Sequence, residues 1–191
     1  MEQFKKDWID TFGLDEEANI EEIYENIKLP RRATAGSAGY DFFAPVRLIL
    51  EPGETLKIPT GIRVEMDPEW VLKCYPRSGL GFKYRLQLNN TVGIIDSDYF
   101  YSDNEGHMFS KITNDTNEEK TIDIAQGEGF MQGIFVEYGI TVDDDVTDVR
   151  NGGFWKHHKI ERTKPYRIVS NFKKIVRKYY GRIQLNSIYW T

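Results

Sequence analysis

Five short segments of this 191-residue chain carry side chains suited to chemistry. They are Ala35-Gly36-Ser37-Ala38-Gly39-Tyr40-Asp41, Pro76-Arg77-Ser78-Gly79-Leu80, Asn90 to Tyr99 (NTVGIIDSDY), Gly127 to Gln132 (GEGFMQ), and Arg150-Asn151-Gly152-Gly153-Phe154. Taken singly, each fits an ordinary Gly-rich turn of a β protein. Together they offer Arg77 and Ser78 for phosphate oxygens, the carboxylates Asp96 and Asp98 for a base, and a Gly-Gly-Phe for an aromatic lid. Such a set suits a nucleotide. Competing hydrolytic chemistries lack their residues, for the chain has no HExxH, no GxSxG and no GxxxxGK[ST]. Three histidines, two of them adjacent at His157 and His158, and a single cysteine do not make a zinc site of the usual kind. A hard cation held through carboxylate, water and substrate phosphate stays open.

These segments need a scaffold that gathers turns. From Ile27 onward the texture is one of short stretches bearing Val, Ile, Tyr and Phe, broken by Pro and Gly: Phe42 to Ala44, Arg47 to Leu50, Thr55 to Ile58, Gly61 to Met66 and Trp70 to Tyr75. Short strands with turns at this spacing predict a sandwich or barrel, and Glu51-Pro52-Gly53-Glu54 and Asp67-Pro68-Glu69 supply two of the turns. Strands do not alternate with long helices as a parallel sheet demands, so the expected class is all-β; helical spacing appears only near Gly79 to Tyr84. Ahead of this body, Trp8, Ile9, Phe12, Leu14, Ile20, Ile23 and Tyr24 recur at roughly helical intervals and predict one or two short helices. The expected organisation is an acidic extension over 1–26, a β domain over 27–154 and a basic tail over 155–191.

Charge follows that division. Residues 155–191 hold ten Lys and Arg against one acid, Glu161, a net +9, while the remainder has 15 basic against 29 acidic residues, a net −14. The two parts therefore attract opposite partners. No apolar run approaches the roughly 18 residues that cross a bilayer, and MEQFKKDWIDTF lacks the apolar stretch of a secretory signal, which predicts a cytoplasmic protein without membrane contact. Cys74 lies between Leu72 and Tyr75 in an apolar run and is expected in the core rather than as a nucleophile.

In their order, the five segments resemble the five motifs of the trimeric dUTPase family over about residues 27–154. Pro-Arg-Ser-Gly-Leu and Gly-Ile-Ile-Asp-Ser-Asp-Tyr are the most specific. The resemblance implies a β jelly roll, a homotrimer whose subunits share each active site, Mg²⁺ chelated mainly by the substrate, and hydrolysis of dUTP to dUMP and pyrophosphate. It implies that Asp96 orients and deprotonates the water attacking the α-phosphorus, while Asp98 is structural. It implies that Tyr99 packs beneath the deoxyribose, leaving no room for a 2′-hydroxyl. Asn90, with Asn89 as a competing candidate, and the backbone of Gly93, Ile94 and Ile95 would form a uracil slot on a hairpin. Arg77, Ser78 and the Gly79 amide resemble the phosphate clamp, with Gln132 as a further triphosphate contact. Asp41 would act through water on Mg²⁺ or by holding an arginine, and Phe154 and Arg150 would close over the nucleotide, stacking on uracil and reaching the γ-phosphate.

Three departures from the family pattern stand out. Many relatives follow the third-motif tyrosine with Arg-Gly, where this chain has Phe100-Tyr101 and the polar run Ser102 to Gly106. Many carry Arg where Gly129 stands. After Phe154 the expected Gly-Ser-Thr is replaced by Trp155-Lys156-His157-His158, a change that one inserted base after the Phe154 codon produces; the rival origin is a natural basic extension that contacts nucleic acid or an acidic protein surface. Closure is therefore expected to be weaker than in relatives with the full motif. Two other functions compete: a dUTPase-like binding or regulatory protein with weakened catalysis, and a dCTP deaminase on the same fold.

Overall fold

Alternation of apolar and polar residues sets the strands. In β3 (Leu48–Leu50) Leu48 and Leu50 are buried while Ile49 between them is exposed, and β7 (Leu86–Leu88) repeats the pattern around Gln87, as the two-residue pleat requires. The computed structural model describes residues 1–13, 19–150 and 189–190. Its remaining strands are β1 (Arg31–Arg32), β2 (Tyr40–Phe43), β4 (Thr55–Pro59), β5 (Val64–Glu65), β6 (Trp70–Pro76), β8 (Gly93–Asp96), β9 (Phe109–Asn114), β10 (Ile122–Ile124), β11 (Gly129–Glu137) and β12 (Tyr189–Trp190). Every pairing among them is antiparallel, which matches the expected all-β class.

A five-stranded sheet runs β1-β2-β11-β6-β8, a three-stranded sheet runs β4-β9-β7, and β10 pairs with β3 and β12 with β5. Between them lies one core in which Phe42, Leu50, Ile58, Leu72, Ile112 and Phe130 are at most 1% exposed. The Pro-Gly turn forms as expected, with the Glu54 amide donating to the Glu51 carbonyl at 3.0 Å, and a short helix α3 (Ser78–Tyr84) stands where helical spacing was read. No helix among the described residues is long and apolar enough to cross a membrane.

The N-terminal segment forms α1 (Glu2–Phe12) and α2 (Ile20–Glu25). Rather than standing off as a solvated acidic arm, they bury Phe4, Trp8 and Ile20 in a second apolar cluster against the body, with the Phe4 ring 5.4 Å from Trp8 and 5.2 Å from Tyr24. At the other end, β12 covers the edge of β5 and Trp190 packs on Phe42, Tyr40 and Phe135 with ring centroids 5.3 to 5.7 Å apart. Residues 155–188 of the basic tail lie outside the described residues, as does Phe154.

Candidate active site

The turn between β7 and β8 does not close a hairpin. The two strands belong to different sheets, β7 pairing with β9 and β8 with β6, and each is the outermost strand of its sheet among the described residues. The expected hairpin is thus replaced by a splayed turn. Each strand pairs along one edge with a strand distant in sequence, β7 with β9 and β8 with β6. Leu88 accepts the Thr91 amide at 2.8 Å to make the turn, and Thr91 sits at φ 65°, a left-handed conformation that a β-branched residue adopts only under constraint.

The splay opens a cavity of about 570 Å³. Asn90, Gly93, Ile94, Ile95, Asp96, Tyr99 and Arg150, all singled out from sequence, line it. Backbone groups on the outer edge of β8 have no neighbouring strand among the described residues. Asn89 also lines the cavity, but its Oδ1 accepts the Thr113 hydroxyl at 2.9 Å, whereas no described residue engages the Asn90 side chain. That difference favours Asn90 as the amide that reads a ligand.

Asp96 ends β8, and its carboxyl is raised above the ordinary carboxylate range by desolvation, with Asp98 adding to the shift and Arg150 opposing it. The Arg150 guanidinium forms an ion pair with Asp96 and donates from Nε to Asp98 Oδ1 at 2.8 Å. In this structure Arg150 thus grips the two carboxylates rather than an open phosphate position. Asp98 is thereby an ion-pair partner of Arg150. Tyr99 sits in the 3₁₀ turn Ser97–Tyr101; its hydroxyl donates to the His107 carbonyl at 2.9 Å and accepts from the Asn104 amide at 3.0 Å. Burial of this ring pushes its phenol pKa up.

Arg77, Ser78, Gly79, Gln132 and Asp41 do not line that cavity. They form a second cluster across β6. Gln132 on β11 pairs with Asp41 on β2 and with Tyr75 on β6, so the three share one face of the sheet. Arg77 Nε lies 3.3 Å from Asp41 Oδ1, and Gln132 donates to the Pro76 carbonyl at 3.2 Å. Asp41 therefore holds an arginine, the second of the two roles read for it. Ser78 and Gly79 stand exposed in the first turn of α3, where helix amides lack intrahelical acceptors. At Gly129, where many relatives carry Arg, a Cβ would come within 2.8 Å of Arg77 Nη1, and the Gly129 carbonyl accepts from that atom at 3.4 Å. Cys74 is buried with its thiol pushed up to about 12, a core residue as expected. Among the described residues there is no group of three or more His, Cys, Asp or Glu that could hold a metal.

Sequence reasoning missed Asp7, His107 and Asn104. One signal was present: Asp7 shares the face of α1 that buries Phe4 and Trp8, and an acid on an apolar face marks a buried pair.

Comparison with known proteins adds the following. Residues 25–155 match the family model described as dUTPase, a match that stops where the basic tail starts. The chain is 42% identical over 136 residues to a deoxyuridine 5'-triphosphate nucleotidohydrolase of Lactococcus lactis, covering 69% of this chain and 89% of that protein. It is 40% identical over 140 residues to the Escherichia coli protein of the same name, covering 69% and 88%. Among solved structures, a dUTPase from Streptococcus mutans superposes with a TM-score of 0.54 at 37% identity, over 61% of this chain and 90% of that one. A dUTPase of Staphylococcus aureus phage phi11, described with a structural Mg(II) ion, gives 0.53 at 24% identity over 65% and 92%, a likeness of fold alone.

Proposed function

The chain belongs to the dUTPase family, and from that premise we propose that it hydrolyses dUTP to dUMP and pyrophosphate by attack of a water that Asp96 orients and deprotonates. The observation that carries this is a desolvated carboxylate at the end of a strand whose free edge, with Asn90, bounds a slot of the right chemistry for a pyrimidine. Uracil presents a donor between two acceptors, and the Asn90 amide offers both complements; cytosine would leave buried groups unpaired. Tyr99, held at its hydroxyl, walls the sugar position and excludes a 2′-hydroxyl by volume.

The phosphates fall to Arg77, Ser78, the Gly79 amide and Gln132. Asp96 pairs with Val71 and Gln132 with Tyr75, four residues apart along β6 and on strands to either side of it. Strand geometry puts their backbones roughly 16 Å apart, beyond what one chain's side chains span around a single α-phosphate. This separation supports a homotrimer in which the slot of one subunit receives the clamp of another. Mg²⁺ would be held mainly by the triphosphate, with Asp41 steadying Arg77 or contacting the ion's water shell. The ion would neutralise charge developing on the phosphate oxygens. Arg150 would release Asp96 when the nucleotide arrives and, with Phe154, cover it. A cytoplasmic location accords with this role.

Replacing Asp96→Asn tests the proposal. With dUTP and Mg²⁺, pyrophosphate release should fall by about 10²–10⁴-fold with little change in nucleotide binding. Undiminished release would overturn it, and ammonia released from dCTP supplied in parallel would point to a deaminase.

A further inference from the structure

The ring of Tyr99 is fixed from outside the matched motifs. Its hydroxyl is held between the His107 carbonyl, at 2.9 Å, and the amide of Asn104, at 3.0 Å, and that amide also donates to the His107 carbonyl at 2.8 Å. Asn104 lies in the polar run that follows Phe100-Tyr101, where many relatives have Arg-Gly, and His107 comes directly after that run. The loop closes tightly: Ser102 Oγ lies 2.7 Å from the Tyr99 carbonyl and 2.7 Å from Asn104 Oδ1, and Gly106 at φ 74° leaves no space for a Cβ, which would meet the Phe100 backbone at 2.6 Å.

The loop is tied in turn to α1. His107 is buried; its Nε2 accepts the Gly61 amide at 2.9 Å, so the ring proton resides on Nδ1, which donates to Asp7 Oδ2 at 2.5 Å. Burial lowers the His107 pKa, with Asp7 opposing, which keeps that neutral tautomer in place. Asp7 itself is buried on the apolar face of α1 beside Phe4, whose ring stacks edge-on to His107 at 5.8 Å, and it accepts the Gln3 amide at 2.9 Å. A buried acid on a helix costs stability unless its partner is fixed, so this pair marks a designed junction rather than a chance surface contact.

We propose that α1 sets the sugar selectivity of the slot, Asp7 acting through His107 and Asn104 as a positioning residue that holds the Tyr99 ring against the 2′ position. This rests on Tyr99 being the wall beneath the deoxyribose. With the junction intact, the wall cannot retreat to admit a hydroxyl. Without it, the loop gains room and the ring tilts.

The test is the ratio of kcat/KM for dUTP to that for UTP in the full chain, measured for wild type, Asp7→Ala, Asp7→Asn, Asn104→Ala and Tyr99→Ala. Asp7→Ala and Asn104→Ala should each lower the ratio by roughly tenfold, the scale of a slackened apolar wall, through a lower KM for UTP with kcat for dUTP little changed. Asp7→Asn keeps an oxygen to accept the His107 Nδ1 proton and should restore the wild-type ratio, which a general loss of folding would not allow. Should Asp7→Ala fail to fold, Asn104→Ala decides. If Tyr99→Ala relaxes the ratio while the Asp7 and Asn104 variants keep it, the proposal falls and the slot assignment stands; if Tyr99→Ala also keeps it, the assignment of Tyr99 falls first and the proposal with it.

Discussion

The slot and the clamp flank the same strand yet are built on opposite plans. The slot lies beside the outer strands of two different sheets, and its carboxylate, 46% exposed, is raised by partial desolvation and gripped by Arg150 of the same chain. The clamp is about as exposed, with the Arg77 side chain at 41%, but its arginine is steadied mainly by Asp41 and the Gly129 carbonyl. A base is recognised by shape and by the direction of a few hydrogen bonds, which folding alone can pre-form. A triphosphate is recognised by charge, which tolerates an exposed arginine until a second surface brings the two halves together.

Mixing protomers tests this contrast most severely. Arg77→Ala should lose about 10²–10³-fold in kcat/KM, the scale of a lost charged donor, and Asp96→Asn should be nearly inert. If slot and clamp meet across subunits, unfolding and refolding the two variants together should return activity at roughly a quarter of the sites, by random assembly of cyclic oligomers. No recovery on mixing would place both halves in one chain. Next in size, Asn90→Ala should weaken dUTP by about 1–3 kcal/mol and narrow the preference over dCTP, leaving pyrophosphate binding unchanged. Gly129→Ala should do the reverse on a smaller scale, because the new Cβ presses on Arg77: KM for dUTP rises a few-fold by displacement of one contact, while dUMP, which engages the slot, binds as before.

The smallest effect is on pH. Desolvation raises Asp96, so the native carboxyl stays protonated, and inactive as a base, somewhat above the ordinary value of about 3.9. The acid limb of kcat/KM should therefore lie above that value. Arg150 opposes the shift, so Arg150→Ala should move the limb further upward. An unmoved limb would mean that Arg150 leaves the carboxylate once the chain assembles.

Much of the slot was legible in the sequence because Asn90 to Tyr99 binds several roles into ten consecutive positions. The splay of β7 from β8 was not legible, since turn chemistry reports that a chain reverses but not whether the flanking strands then pair with each other or with more distant ones. Asp41 and Arg77 were readable as types, but their ion pair depends on the register of β2 against β11, whose paired residues lie 86 to 93 positions apart, which no local pattern encodes. Asp7 escaped for a different reason. In a segment rich in acids one more acid reads as solvated, and only the position of His107, a hundred residues on, shows that this one is not.

The outer edges of β7 and β8, unpaired among the described residues, are also the kind of surface by which proteins adhere edge to edge. A pyrimidine bound against β8 would do the work of a missing strand, so nucleotide is expected to slow clumping. Nucleotide-free preparations should turn turbid on storage sooner than those kept with dUMP, the product serving as a chaperone for the groove it leaves.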